Sequence, residues 1–327
     1  MKRDDFSGSK VLITGGLGFI GSTLAHRLVD LGAEVSLIDC LLPRQGGNRA
    51  NIRGLEDRVQ VNISEMGAAA SLRHLVPGVD IIFNLAGQTS HLDSMHDPMT
   101  DLNLNCTAQI ALLEVCRAHN PGCKIVFAST RQIYGRPDYL PVDERHPLRP
   151  VDINGIHKVA GESYHTLYNE VYGIRSTALR LTNTYGPRMR VKDARQTFLG
   201  IWIRLVLEGR PFEVWGGGQL RDFTYVDDVV DALLLAARTP ELDGLALNLS
   251  GAEVLDLKQL AQMLVDASGG AFELREFPEE RKRIDIGDYY ADDSRFRGLT
   301  GWAPKIRLDE GLRRTLDYTR EHLAEYV

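Results

Sequence analysis

Apolar residues in the first half of the chain fall in short runs separated by stretches with helical spacing. Lys10–Thr14 is one such run; a glycine-rich turn and an amphipathic stretch through Leu31 follow it. Runs at Glu34–Asp39, Val59–Ile63, Asp80–Leu85 and Lys124–Ser129 predict four further strands, and Leu102–His119 has the 3.6-residue periodicity of a helix. A helix fits Gly155–Tyr172 and a strand fits Ser176–Leu181. Strands alternating with helices require crossover connections, so the expected fold class is α/β, with a doubly wound parallel sheet covered on both faces. After Asn183 the pattern loosens into short elements, with helices over Phe198–Glu208 and Asp228–Ala237. No internal repeat or low-complexity linker divides the sequence, which points to two closely joined lobes.

Composition narrows the function class. A chain of 327 residues, 43% hydrophobic and 25% charged, suits one large domain or two joined ones with a sizeable core. The net charge of −6 comes without Lys/Arg blocks, so neither nucleic acid nor an anionic membrane is expected as the main partner. No apolar run reaches the ~18 residues of a membrane span, and no signal-like apolar segment follows Met1-Lys2-Arg3-Asp4-Asp5. Cys40, Cys106, Cys116 and Cys123 lack metal-ligand spacing; buried free thiols in a reducing cytoplasm are expected, with no metal.

The candidate chemistry begins at Gly15-Gly16-Leu17-Gly18-Phe19-Ile20-Gly21, at the first strand-to-helix turn. Small residues there let the backbone turn sharply and approach a pyrophosphate, whose charge rests on the helix N-terminus. Asp39 ends the next strand, where its carboxylate can accept both ribose hydroxyls and repel a 2′-phosphate. NAD is therefore favoured over NADP, although Arg44 or Arg49 could reach a phosphate. A Rossmann-type domain over residues 1–182 is expected, rejoined by 227–250, with a substrate lobe formed mainly by 183–226 and 251–327.

Thr14-Gly15-Gly16-Leu17-Gly18-Phe19-Ile20-Gly21 resembles the opening motif of the extended short-chain dehydrogenase/reductase family, the sugar-nucleotide epimerases and dehydratases. The resemblance continues along nearly the whole chain. Asn84-Leu85-Ala86-Gly87-Gln88 is similar to the family's fourth-strand segment along the cofactor, and Asn105 to its helix asparagine behind the catalytic centre. Ser129-Thr130-Arg131-Gln132-Ile133-Tyr134-Gly135 resembles the catalytic Ser/Thr segment, with Thr130 at the hydroxyl that holds the sugar. Leu179–Arg188, which includes Asn183, resembles the segment leaving the sheet for the substrate lobe, and Arg221–Asp228 the arginine motif that clamps the phosphates. By this likeness the cofactor contacts are Gly15, Gly18, Phe19, Ile20, Gly21, Asp39, Asn62, Ile63, Leu85, Ala86, Gly87, Asn105 and Lys158. The substrate contacts are Gln88, Arg131, Asn183, Arg188, Val214 and Arg221. Plainer readings stand beside some of these: Arg221 can form a surface ion pair with Asp222, Asn183 can cap the turn after it, and the strand around Val214 can be ordinary core. Family members commonly pair through a four-helix bundle, which here would use the helices over Leu102–His119 and Gly155–Tyr172.

The resemblance fails at one residue. The family's catalytic Tyr-x-x-x-Lys appears here as Asn154-Gly155-Ile156-His157-Lys158, and no lysine in the chain has a tyrosine four positions before it. Lys158 can still hold the nicotinamide ribose, but Asn154 cannot exchange a proton near neutral pH. His91 and Asp93, in the loop after the fourth strand, and His157, one turn from Asn154, are the candidate replacements. Arg131-Gln132 stand where relatives that eliminate water carry Asp-Glu after the threonine, which disfavours dehydration and leaves the segment closer to epimerases, including CDP-sugar 2-epimerases. The resemblance implies NAD-dependent epimerisation of a nucleotide sugar through a keto intermediate, with a non-tyrosine proton-transfer group. A binding protein with little turnover and a net oxidoreductase are the alternatives.

Overall fold

A computed structural model of the protein describes residues 5–43, 45–195 and 197–327, without the side chains of 280 and 281. Arg44 lies outside the described residues. Seven parallel strands form the main sheet in the order β10-β6-β5-β4-β1-β2-β3. They are β1 (Lys10–Thr14), β2 (Glu34–Asp39), β3 (Val59–Ile63), β4 (Ile81–Asn84), β5 (Lys124–Thr130), β6 (Ser176–Leu181) and, returning from far along the chain, β10 (Ala246–Asn248). The central strands are apolar on both sides, as a sheet covered on both faces requires. Val11 and Ile13 join one core with helices α1 (Phe19–Asp30) and α8 (Val226–Arg238). Leu12, between them, faces the opposite core with α2 (Ala69–Leu75), α5 (Ala108–His119) and α6 (Ile153–Tyr172).

The helix expected over Leu102–His119 is not a single continuous α-helix. Two short helices, α3 (His91–His96) and α4 (Pro98–Leu102), precede a π-helical turn over Asn103–Thr107, and only then does α5 begin. The wider turn leaves Asn105 wholly buried beside the sheet. Helix α6 starts cleanly because the Asp152 side chain accepts the Gly155 amide at 2.7 Å, and it stops at Gly173, whose φ of 69° is left-handed.

Beyond β6 a second core forms around α7 (Phe198–Leu207), α9 (Leu257–Ser268) and the helix Leu308–Tyr326. It includes the three-stranded sheet β11-β9-β7 (Val254–Asp256, Leu220–Tyr225, Asn183–Tyr185) and the pair β12-β8 (Phe272–Arg275, Phe212–Trp215). The four cysteines are free, three of them buried. Among the described residues, no helix is long and apolar enough to cross a membrane.

Candidate functional site

One continuous cleft opens at the carboxyl ends of β1, β2, β4, β5 and β6, the edge where parallel sheets bind ligands. Its first wall is the glycine turn. Gly15 has a φ of 68°, and a Cβ there would stand 3.0 Å from the Ala86 nitrogen; a Cβ on Gly21 would stand 2.3 Å from the Gly15 oxygen. Backbone therefore packs directly on backbone, and α1 can start at the cleft. Gly18, its N-cap, offers no side-chain acceptor, which leaves the first helical amides free for an anion. Asp39 ties the turn together by accepting the amides of Leu17 at 3.1 Å and Leu41 at 2.9 Å, and burial pushes its pKa up. Phe19, Ile20, Leu85 and Ala86 complete this wall. Across it, Thr14 Oγ1 accepts the amides of Leu85 and Ala86 and donates to Asn84, which pins the turn after β4. A backbone cradle beside a ribose-ready carboxylate fits a dinucleotide.

The same cleft continues to Gly87, Gln88, His91, Thr130, Arg131, Asn154, Lys158 and Asn183. Thr130 caps the turn after β5 by accepting the Gln132 amide at 3.2 Å, so its hydroxyl proton is free to donate. Lys158 donates to the Ala128 carbonyl at 3.2 Å; burial, only partly offset by Asp101 and Cys106, lowers its pKa to about 8. Asn154 is 2% exposed. Its amide nitrogen donates to the Gln88 carbonyl at 2.8 Å and to Asp101 Oδ2 at 3.0 Å. Both partners are acceptors, so the orientation is forced and the side chain offers the cleft only a carbonyl oxygen. Asn105 donates to the same Gln88 carbonyl at 3.2 Å and sits behind the cleft rather than on it; its Oδ1 has no hydrogen-bond partner among the described residues.

The proton-transfer candidates part company. His91 lines the cleft, with Nδ1 3.0 Å from Asp152 Oδ2. Asp93, expected beside it, instead pairs with Arg195 at 3.0 Å. His157 turns its Nδ1 to Asp101 at 2.7 Å and does not line the cleft.

At the far end Arg131 donates to Asn183 Oδ1 at 2.8 Å, and the Asn183 amide donates to the Asp222 carbonyl at 2.9 Å, so Asn183 is occupied at both ends. Arg221 is buried, with its guanidinium bonded to the carbonyls of Leu220 and Gly287 and near Asp285 at 3.4 Å. Its ion-pair partner is thus Asp285 and not Asp222. Burial, with Arg131 nearby, lowers the Arg221 pKa to about 10, and burial raises that of Asp222 to about 6.

Six expected contacts lie off the cleft: Asn105, Arg221, Asn62, Ile63, Val214 and Arg188. Asn62 and Ile63 end the edge strand β3 without lining it; Ser64 and Met66, just beyond, do so. Val214 is fully buried in the second core, because alternate residues of β8 face α7 and α9. Arg188, at a φ of 70°, reaches over the Tyr318 ring instead. Arg49 is exposed and also away from the cleft. Sequence reasoning missed Asp152 and Asp101. Asp152 carried a signal, an aspartate immediately before a helix; Asp101 carried none, since its partners come from residues more than fifty positions away.

A family model described as the NAD dependent epimerase/dehydratase family matches residues 11–249. The putative UDP-glucose 4-epimerase of Methanocaldococcus jannaschii is 31% identical over 95% of this chain and 99% of its own. The structure of the Thermus thermophilus UDP-glucose 4-epimerase with NAD is 30% identical, with a TM-score of 0.84 over 95% of this chain and 99% of that one. The Thermotoga maritima UDP-glucose 4-epimerase, solved with UDP-glucose, is 28% identical, with a TM-score of 0.87 over 96% and 99%. With its glycine cradle, its Asp39 and its parallel sheet, the chain belongs to the NAD-dependent epimerase/dehydratase family of sugar-nucleotide enzymes.

Proposed function

We propose that the protein epimerises a nucleotide-activated sugar through a transient keto intermediate, using tightly held NAD and a proton-transfer group other than tyrosine. The observation that carries this reading is the continuity of one cleft from the glycine cradle to Thr130, Asn154 and Lys158. Gly15, Gly18, Phe19, Ile20, Gly21, Asp39 and Lys158 would hold the cofactor. Bound there, NAD supplies a reversible acceptor for a carbon-bound hydrogen and its electron pair. Thr130 donates to the sugar oxygen, and Asn154 accepts from a neighbouring hydroxyl through its fixed carbonyl. Gln88 and Arg131 take the polar and anionic parts of the substrate; with Asn183 occupied, Arg131 is the cation left to meet a phosphate or an acidic sugar.

The enzyme is proposed to act as a cytoplasmic homodimer through α5 and α6. Helix α6 exposes Ile156, Leu167 and Val171 on one face, an unusual surface for a helix that packs on a core. A binding protein with little turnover is the competing reading, favoured by the missing tyrosine. The test is incubation of the NAD-loaded protein with UDP-, CDP-, GDP- and dTDP-hexoses, followed by proton NMR of the anomeric signals. A second sugar epimer is the expected result; tight binding without any conversion would support the binding protein.

A further inference from the structure

Asn154 presents only an acceptor to the cleft and has no proton-exchanging group, so the proton of the reacting hydroxyl needs another home. We propose that His91 takes that proton and that the buried carboxylate of Asp152 positions His91 to do so, an inference that rests on the sugar-nucleotide reading above. His91 opens α3 on the cleft wall. Its Nδ1 is buried against Asp152 while the side chain keeps 37% of its surface exposed, so the open part of the ring lies away from Nδ1. The 3.0 Å separation from Oδ2 is that of a hydrogen bond, but the ring is not aligned on the carboxylate; a small rotation completes the bond, and catalytic pairs commonly tighten only around substrate.

Asp152 is held from three sides. One oxygen caps α6 through the Gly155 amide, and the other accepts from Gln132 Nε2 at 2.8 Å as well as facing His91. Burial alone would raise its pKa, but the nearby His91 and the hydrogen bonds from Gly155 and Gln132 outweigh burial and hold it below the usual carboxylate value. An ionised carboxylate behind Nδ1 selects the Nδ1–H tautomer and leaves the Nε2 lone pair for the cleft. The other candidates are engaged elsewhere: Asp93 by Arg195, and His157 by Asp101. The charged groups on the elements packed with α3 are Asp152 at the start of α6, Lys158 within it and Asp101 of α4; Asp93 lies on α3 itself, and Arg131 lines the same cleft as His91.

The step balances. The sugar O–H bond breaks, its proton goes to Nε2 and its electron pair becomes the carbonyl π bond, while the carbon-bound hydrogen leaves with its pair to NAD as oxidant. The reverse step returns both to the sugar.

Two measurements on the full, NAD-loaded chain test the proposal. In long-range proton–nitrogen NMR at pH 7.5, with His91 assigned through His91→Gln, a neutral Nδ1–H tautomer is expected; an Nε2–H tautomer would overturn the proposal. With the sugar nucleotide found to be converted, His91→Gln should lose on the order of 10²-fold in turnover while retaining NAD. Asp152→Asn keeps the helix cap, because asparagine caps as well as aspartate. It should lose on the order of 10-fold and move the acidic limb of the pH profile to lower pH, because the imidazolium loses its counter-charge. His96→Gln, exposed on the same helix, should change neither. Wild-type turnover and an unshifted profile in His91→Gln would overturn the proposal. If no sugar nucleotide binds at all, the functional reading fails instead, and the tautomer still decides the dyad.

Discussion

Asn154 is held as firmly as many catalytic residues, although it cannot do a tyrosine's chemistry. Its amide nitrogen lies between Gln88 and Asp101, so replacing it disturbs both. Asn154→Asp sets a carboxylate against Asp101 and a carbonyl. The new group's folded pKa would be raised, so the destabilisation is absent below about pH 4 and grows as the pH rises. Melting curves at pH 5 and pH 8 should show the larger loss at pH 8. Asn154→Tyr takes the donor from Asp101 and overfills a buried position, so turnover in the epimer assay should fall; a gain would mean that the pocket is a decayed tyrosine site. Lys158 has the opposite sign of effect. Its pKa falls from 10.5 to about 8 on burial, so its charge costs the nucleotide-free fold ~3 kcal/mol at pH 7. Lys158→Met should raise the melting temperature at pH 7 by roughly 2–5 °C. That advantage should shrink as the pH rises from 8 to 10.5, where the folded and then the unfolded lysine lose their protons.

Strands and their helices were the most legible elements. Lys10–Thr14, Glu34–Asp39, Val59–Ile63 and Ser176–Leu181 have the bounds that their sequence patterns predict: a central strand such as β1, buried on two faces, is a short apolar run, while the edge strand β3 alternates valine with Gln60 and Asn62. The π-helical turn inside the expected Leu102–His119 helix was not legible, since one extra residue in a turn barely alters a periodicity averaged over several turns. Other strands around the second core were missed for a different reason. β7, β11 and β12 are three or four residues long, and each pairs with a strand distant in sequence, so no local pattern marks them; only β8, around Val214, reads as a strand. At this scale the glycine turn makes a firm prediction. Gly21→Ala puts a methyl 2.3 Å from the Gly15 oxygen and pries α1 from the cradle. NAD affinity by calorimetry should fall at least about 10-fold, with far-UV circular dichroism close to wild type.

For the whole molecule, the sheet order brings β1, β2, β4, β5 and β6 side by side, so their carboxyl ends converge on one cleft. Asp39 and Thr130 at those ends, and Lys158 on α6, could be located from motif and spacing. The carboxylates that partner Asn154, His91 and Arg221 could not, because Asp101, Asp152 and Asp285 come from other segments of the chain. The apolar face of α6 belongs to this scale as well. If it pairs two copies, Val171→Glu should yield monomers in light scattering after size exclusion, with the NAD content retained. In the proposed reaction the carbon–hydrogen bond is broken and remade within a single turnover, which absorbance at 340 nm during conversion of an accepted sugar nucleotide can follow. Product epimer should form with no net rise in absorbance; a rise stoichiometric with sugar consumed would make the protein a net oxidoreductase instead.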